Sequence, residues 1–244
     1  YFMFRIVKFI KGILLVFPVS LFFYPFSRLF IFLYHFNKMI VWIYKNKKGL
    51  LLNDFFSIKR DYTKRYKLYE TLLQHYQLKQ EAVTYLEFGV AHGASFRWWM
   101  QENTNSSSSF FGFDTFEGLP ENWGGFYAKG DMKADVPQLN DTRGMFIKGL
   151  FQDTLNKFIE EKKELLSSAN RRMIHMDADL YSATIFALSQ LYPFLKKDDI
   201  ILFDEFNVPL HEFKAFQEFT AAFYVKLKPV AAVNNFYQTA FVVV

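Results

Sequence analysis

Apolar side chains follow one another almost without a break over the first 48 residues, and every charged residue that interrupts them is basic. The longest uncharged run, Gly12 to Ser27, carries Pro18 and Pro25. It falls short of the ~20 apolar residues that a straight membrane-spanning helix needs, although snorkelling of Lys11 and Arg28 would lengthen it. From Arg28 to Tyr44, helical spacing sets Arg28, His35 and Lys38 near one face, with Phe30, Leu33, Phe36, Ile40 and Ile43 mostly elsewhere. Trp42 and Tyr44 then stand beside the basic cluster at 45–48, the pattern of a helix lying in a membrane interface. Residues 1–48 therefore admit three readings: an in-plane or re-entrant anchor, a single span, and a soluble lid or oligomer contact. A cleaved signal peptide does not fit, because no small-residue cleavage site follows the apolar run.

The pattern changes at Leu50. Residues 49–82 read as a helical linker and cover, in which Asp61 caps a helix running to Leu78 with Tyr66, Tyr69, Leu73 and Tyr76 at helical spacing. From there to residue 244, short apolar runs alternate with amphipathic stretches in the order strand, helix, strand, long loop, strand, helix, strand, helix, strand, helix, strand, strand. This is an α/β order, and right-handed crossovers make the sheet mostly parallel. The two final runs, Val225 to Val230 and Thr239 to Val244, with Asn234-Asn235 between them, predict an antiparallel hairpin. The segment from Glu117 to Asp141, with Trp123 and Tyr127, is too long for a mere connector and reads as a lid.

Composition narrows the chemistry. A chain of 244 residues with 51% hydrophobic residues buries one α/β core plus an appendage. With no cysteine, disulfides, thiolate nucleophiles and thiolate zinc sites are excluded, so any metal uses oxygen or histidine ligands. The net charge of +5 is uneven: residues 1–48 hold 8 of the 29 basic residues and no acid, leaving 21 basic against 24 acidic residues beyond. The folded domain is thus slightly acidic, which argues against nucleic-acid binding, while the basic, phenylalanine-rich segment suits an anionic membrane surface.

The candidate chemistry lies at strand ends. Met173 to Met176 leads into Asp177-Ala178-Asp179-Leu180-Tyr181, and Ile200 to Phe203 into Asp204-Glu205, so one crossover brings four carboxylates to the carboxyl edge of a parallel sheet. Asp177, Asp204 and Glu205 form a candidate site for a hard divalent cation. Asp179 has a competing role as cap of the following helix. Upstream, Thr84 to Phe88 opens into a turn with Gly89 and Gly93, and the helix beginning near Ser95 offers free N–H groups to an anionic ligand. The turn lacks the Gly-x-Gly-x-x-Gly spacing of dinucleotide folds. Asp114, ending the next strand, is placed to take ribose hydroxyls. His175 reads as a core histidine, His92 as turn filler, and His211 as the start of a helix carrying Phe213, Phe216, Phe219 and Phe223.

Five blocks, Glu87-Phe88-Gly89-Val90 with Gly93, Phe113 to Glu121, Lys148 to Leu155, Asp177 to Tyr181 and Phe203-Asp204-Glu205, together resemble the macrocin O-methyltransferase family over residues 80–244. The resemblance implies a class I methyltransferase fold with a seven-stranded sheet and an enzyme that uses S-adenosylmethionine and Mg2+ to methylate a sugar hydroxyl. It implies that Glu87, Phe88, Gly89, Gly93 and Ser95 hold the methionine end of the cofactor. Asp114 and Thr115 would serve the ribose side, and Gln152 and Asp153 would lie beside the adenine. It makes Asp177, Asp204 and Glu205 the metal ligands and Asp179 the general base, with Asp177 also at the reacting centre. The family's last pair is often two aspartates, and Glu205 departs from that. Because the cofactor is made in the cytosol, the expected location is the cytoplasmic face of a membrane, with a lipid-linked glycan as acceptor. The alternatives are a small phenolic or natural-product acceptor and a catalytically inactive membrane-associated scaffold; a homo-oligomer is compatible with each.

Overall fold

The alternating runs form the expected strands and helices in the computed structural model, which describes residues 2–244. In chain order these are α1 (Phe2–Val16), a 3-10 stretch (Val19–Phe26), α2 (Ser27–Asn46), β1 (Leu52–Asn53), α3 (Lys64–His75) and β2 (Val83–Phe88). Then come α4 (Ala94–Glu102), β3 (Ser109–Asp114), β4 (Gly144–Lys148), α5 (Phe151–Glu161), α6 (Lys163–Ser167), β5 (Arg171–Met176) and α7 (Tyr181–Leu191). The chain closes with β6 (Ile200–Phe203), α8 (Glu212–Ala222), β7 (Leu227–Val233) and β8 (Gln238–Val243).

Among the described residues the sheet has eight strands, in the order β1-β7-β8-β6-β5-β2-β3-β4. All neighbours are parallel except those of β8, which runs antiparallel to both β6 and β7. The eighth strand is β1, whose two residues pair with Ala231 and Ala232 at the edge. A pair that short carries no alternation to be read, hence the expected count of seven. The β7–β8 hairpin turns through Asn234, Asn235 and Phe236, all with positive φ, and asparagine tolerates that conformation best among non-glycine residues.

Apolar layers cover both faces of the sheet. Leu86, Phe88, Ile174 and Met176 point into a cluster with α5, α7 and α8, while Val83, Tyr85 and Met173 point into one with α3 and α4. α3 starts three residues after Asp61, whose carboxylate accepts from the Thr63 N–H at 2.9 Å and folds the turn ahead of the helix rather than capping it directly.

Residues 1–48 do not behave as one unit. The first half of the segment is exposed from Phe2 to Val19 and from Leu21 to Phe26, whereas Met39 and Ile43 of α2 are buried in the main core. Trp42 lies between them, with ring centroids 5.0 Å from Phe206, 5.4 Å from Phe216 and 5.8 Å from Phe241. The second half of the segment thus packs on the core, and the first half does not. An apolar stripe at i, i+3, i+4 serves a protein core as well as a lipid surface, so periodicity alone does not separate the two.

Candidate functional site

Three parallel strands end level. Phe88 pairs with Met176, and Met176 with Phe203, so Gly89, Asp177 and Asp204 leave the sheet side by side. The ladder continues one step further: the Asp177 N–H donates to the Phe88 carbonyl and the Asp204 N–H to the Met176 carbonyl, both at 2.9 Å. A cleft of ≈ 340 Å³ opens over this edge, lined by Gly89, Asp114, Thr115, Gln152 and the carboxylates that follow β5 and β6.

Gly89 is required for a reason more local than ligand approach. Its φ is +92°, and a Cβ there would meet the Asp177 carbonyl oxygen at 1.7 Å. The glycine turn and the first acid of the cluster thus share a backbone seam. Gly93 sits in the left-handed conformation at the amino end of α4. Asp114 holds the turn from the neighbouring strand: its Oδ2 accepts the N–H groups of Val90 and Ala91, both at 2.8 Å, and its Oδ1 accepts that of Phe116 at 2.7 Å.

Asp177, Asp179, Asp204 and Glu205 line the cleft, and a fifth acid, Glu212, lies behind them. Ligand atoms of Asp177, Asp179 and Glu205 fall within 4.8 Å of one another, as do those of His175, Asp177 and Asp204. His175 is already satisfied, with Nδ1 2.8 Å from the Tyr85 hydroxyl and Nε2 3.5 Å from that of Tyr69, in agreement with its reading as a core histidine. The aspartates and Glu205 are not. Asp204 Oδ2 accepts from Arg65 at 2.9 Å and from Gln238 at 3.3 Å, and Glu205 Oε1 accepts from Tyr237 at 3.2 Å. Asp204 Oδ1 and Glu205 Oε2 are buried without a partner. Bare buried carboxylate oxygens are unfavourable unless a proton or a cation meets them.

The electrostatics agree. Burial, reinforced by Asp204 and Asp179, raises the Asp177 carboxyl well above its ordinary range; burial and Asp177 do the same to Glu205. Burial together with Asp204 and Asp114 pushes Asp179 up to about 7. Behind Glu205, whose N–H it accepts at 2.9 Å, Glu212 is also raised by burial. Arg65 stands among them, 2.9 Å from Asp204 and 3.9 Å from Asp177; burial alone would lower its pKa, but Asp204, Tyr69, Asp177 and Glu205 together outweigh it and the net shift is upward.

Asp179 has φ +58° and does not cap α7, whose first turn has no side-chain cap; its carboxylate faces the cleft instead. The loop after β3 covers that cleft. Leu119, Pro120, Trp123, Tyr127 and Met132 line it, the rings of Trp123 and Tyr127 stack at 5.0 Å, and Ser182 donates to Glu121 at 2.6 Å.

Of the residues expected at the site, Gly89, Asp114, Thr115, Gln152, Asp177, Asp179, Asp204 and Glu205 line one cleft. Five do not. Glu87 is buried beneath it and accepts from the Tyr85 hydroxyl; Ser95 is buried against Tyr69 at 3.1 Å; Phe88 is packed in the core; Gly93 acts through the cap it forms; and Asp153 is exposed on the first turn of α5. Tyr62, Arg65 and Tyr237 line the cleft without having been expected there. Arg65 stands at a polar position of an amphipathic helix, and nothing local distinguishes it from Lys64 or Lys67.

Residues 86–206 match a family model described as a methyltransferase domain. No curated protein matches the chain. Among solved structures, that of the calicheamicin methyltransferase CalS11 superposes with a TM-score of 0.58 at 20% identity, covering 75% of this chain and 80% of that one. Its apo form, described as a TDP-rhamnose 3'-O-methyltransferase, gives 0.51 at 19% over the same shares, 75% and 80%. The O-methyltransferase NovP gives 0.47 at 19%, covering 70% and 74%. At these identities the likeness is one of fold, and it is the fold that the family resemblance implied. The chain is an enzyme of class I methyltransferase fold, and its residues 86–206 match the methyltransferase-domain model.

Proposed function

We propose that this chain transfers a methyl group from S-adenosylmethionine to a hydroxyl oxygen of a sugar, with a hard divalent cation, Mg2+ first, held by Asp177, Asp204 and Glu205. The observation that carries the reading is the pair of partnerless buried oxygens on Asp204 and Glu205, set beside Asp177 at the edge where the glycine turn opens. An all-oxygen donor set suits Mg2+. When bound, the cation supplies positive charge that makes deprotonation of an acceptor hydroxyl less unfavourable. Asp179, with its raised pKa, takes that proton. The sulfonium–methyl bond breaks as the oxygen–methyl bond forms, and positioning is the main demand because the leaving group is already good. Asp114 can accept ribose hydroxyls while it holds the turn, since each carboxylate oxygen accepts more than one bond. Trp123 and Tyr127 offer ring faces to a sugar and exclude water. The TDP-rhamnose named for the CalS11 neighbour is an acceptor of this class.

The test is consumption of S-adenosylmethionine against a panel of free, nucleotide-linked and lipid-linked sugars and simple phenols, with and without chelator. Turnover is expected on sugars and abolished by chelator. Full turnover in excess chelator overturns the cation, and turnover confined to phenols overturns the sugar.

Donor binding is tested separately. Asp114→Ala removes three charge-assisted hydrogen bonds from the turn, which is expected to weaken S-adenosylhomocysteine binding by about 1.5–3 kcal/mol. Gly89→Ala forces a Cβ into the Asp177 carbonyl and weakens it at least as much. Calorimetry showing unchanged affinity in both variants would remove the donor from this turn.

A further inference from the structure

The exposed arm ahead of the core is unpaired and chemically asymmetric. At about 100° per residue, Arg5, Lys8 and Lys11 of α1 fall on one face, with Phe4 and Leu15 between them, whereas Phe2, Ile6, Phe9, Ile10 and Ile13 fall on the opposite, wholly apolar one. None of the residues of α1 is buried, and Phe9 is 70% exposed. The elbow that follows carries Phe17, Phe22 and Tyr24, at 68%, 78% and 72% exposure. The axis then bends by 82° into the helix that docks on the core. Among the described residues, no single helix is long and apolar enough to cross a membrane.

We infer that α1 and the aromatic elbow form an in-plane anchor for an anionic lipid bilayer, with the Phe9 face and the elbow rings in the acyl boundary and Arg5, Lys8 and Lys11 among the headgroups. An amphipathic helix with a basic polar face and a wide apolar face has this preference, and an aromatic elbow at headgroup depth reinforces it. Charge selects the occupant. Residues 1–48 carry 8 basic residues and no acid. A second copy packed arm to arm would add like charges with no acid between them, whereas anionic headgroups neutralise them.

The experiment is flotation of the full chain, after detergent removal, with vesicles of phosphatidylcholine alone or mixed with phosphatidylglycerol. The chain is expected to float with the mixed vesicles about ten-fold better than with neutral ones, and the difference shrinks in high salt. The triple variant Arg5→Glu, Lys8→Glu, Lys11→Glu is expected to lose that preference while still binding S-adenosylhomocysteine, which shows that it is folded. In a Phe9→Trp chain, lipids brominated near the headgroup should quench the fluorescence more than lipids brominated near the chain ends. Equal flotation of triple variant and wild type, deeper quenching, or a wild-type chain that stays below the vesicles as a monodisperse oligomer overturns the inference.

Discussion

Asp179→Asn is expected to lower methyl transfer by about a hundred- to ten-thousand-fold, the usual contribution of a positioned general base. The substitution keeps size and shape, removes the proton acceptor, and leaves the turn and the other carboxylates in place. Asp179 is suited to the role because burial, Asp204 and Asp114 push its carboxyl up to about 7, so near neutral pH it exchanges protons without a large free-energy gap. Its left-handed backbone, φ +58°, turns the side chain into the cleft instead of over the first turn of α7. S-adenosylhomocysteine and Mn2+ should still bind the variant. Normal turnover in Asp179→Asn would leave the residue with a structural role only.

The same side chain destabilises the fold when no cation is present. In chelator at pH 8, the Asp179→Asn protein is expected to unfold at a higher temperature than wild type, and the gap should close as the pH falls toward 4. The sign follows from the upward shift: a carboxyl raised from 3.8 to about 7 contributes its stability below its unfolded pKa and loses it as the pH rises through the folded one. After allowance for partial solvent access and for Arg65 nearby, the loss is on the order of 2 kcal/mol, or roughly 4–8 °C for a chain of this size. Mg2+ at about a hundred times its dissociation constant would add about 2.7 kcal/mol to each protein, since both keep Asp177, Asp204 and Glu205, and its charge beside Asp179 should narrow the gap at pH 8. Thermal scans across pH, in chelator and in Mg2+, decide it. A wild type more stable than the variant in chelator at pH 8 would mean that Asp179 is compensated by a group other than those named.

Much of this was readable from the chain because the informative residues follow short apolar strands. Asp177 and Asp204 stand directly after β5 and β6, so calling the strands placed the acids, and a right-handed crossover put them at one edge. The covering loop announced itself by length and by Trp123 and Tyr127. What was not readable depends on contacts between residues far apart in sequence. Arg65 meets Asp204 across 139 positions, and Tyr237 meets Glu205 across 32. Neither has a periodic or motif signal. Trp42 looked like an interfacial anchor because an aromatic beside basic residues is one, yet its ring is packed against Phe206 and Phe216. Glu87 and Ser95 stand in the right blocks, but their side chains are spent on a buried hydroxyl–imidazole network with Tyr85, His175 and Tyr69.

The provenance of the cleft's walls has a consequence. Gly89, Asp114, Thr115, Gln152 and the carboxylates of Asp177, Asp179, Asp204 and Glu205 lie within residues 86–206, the stretch that matches the methyltransferase-domain model. Tyr62, Arg65 and Tyr237 lie outside it, yet they form the wall beside Asp204 and Glu205. Tyr62 lies on the stretch between α2 and α3, which Asp61 and Asn234 tie to the β7–β8 hairpin, and Arg65 on the first turn of α3, so this part of the wall follows the same lead-in that carries the exposed arm. On the proposed reaction, the groups that move the methyl lie within residues 86–206, whereas the wall beside Asp204 and Glu205, and with it the choice of what receives the methyl, comes from the segments on either side.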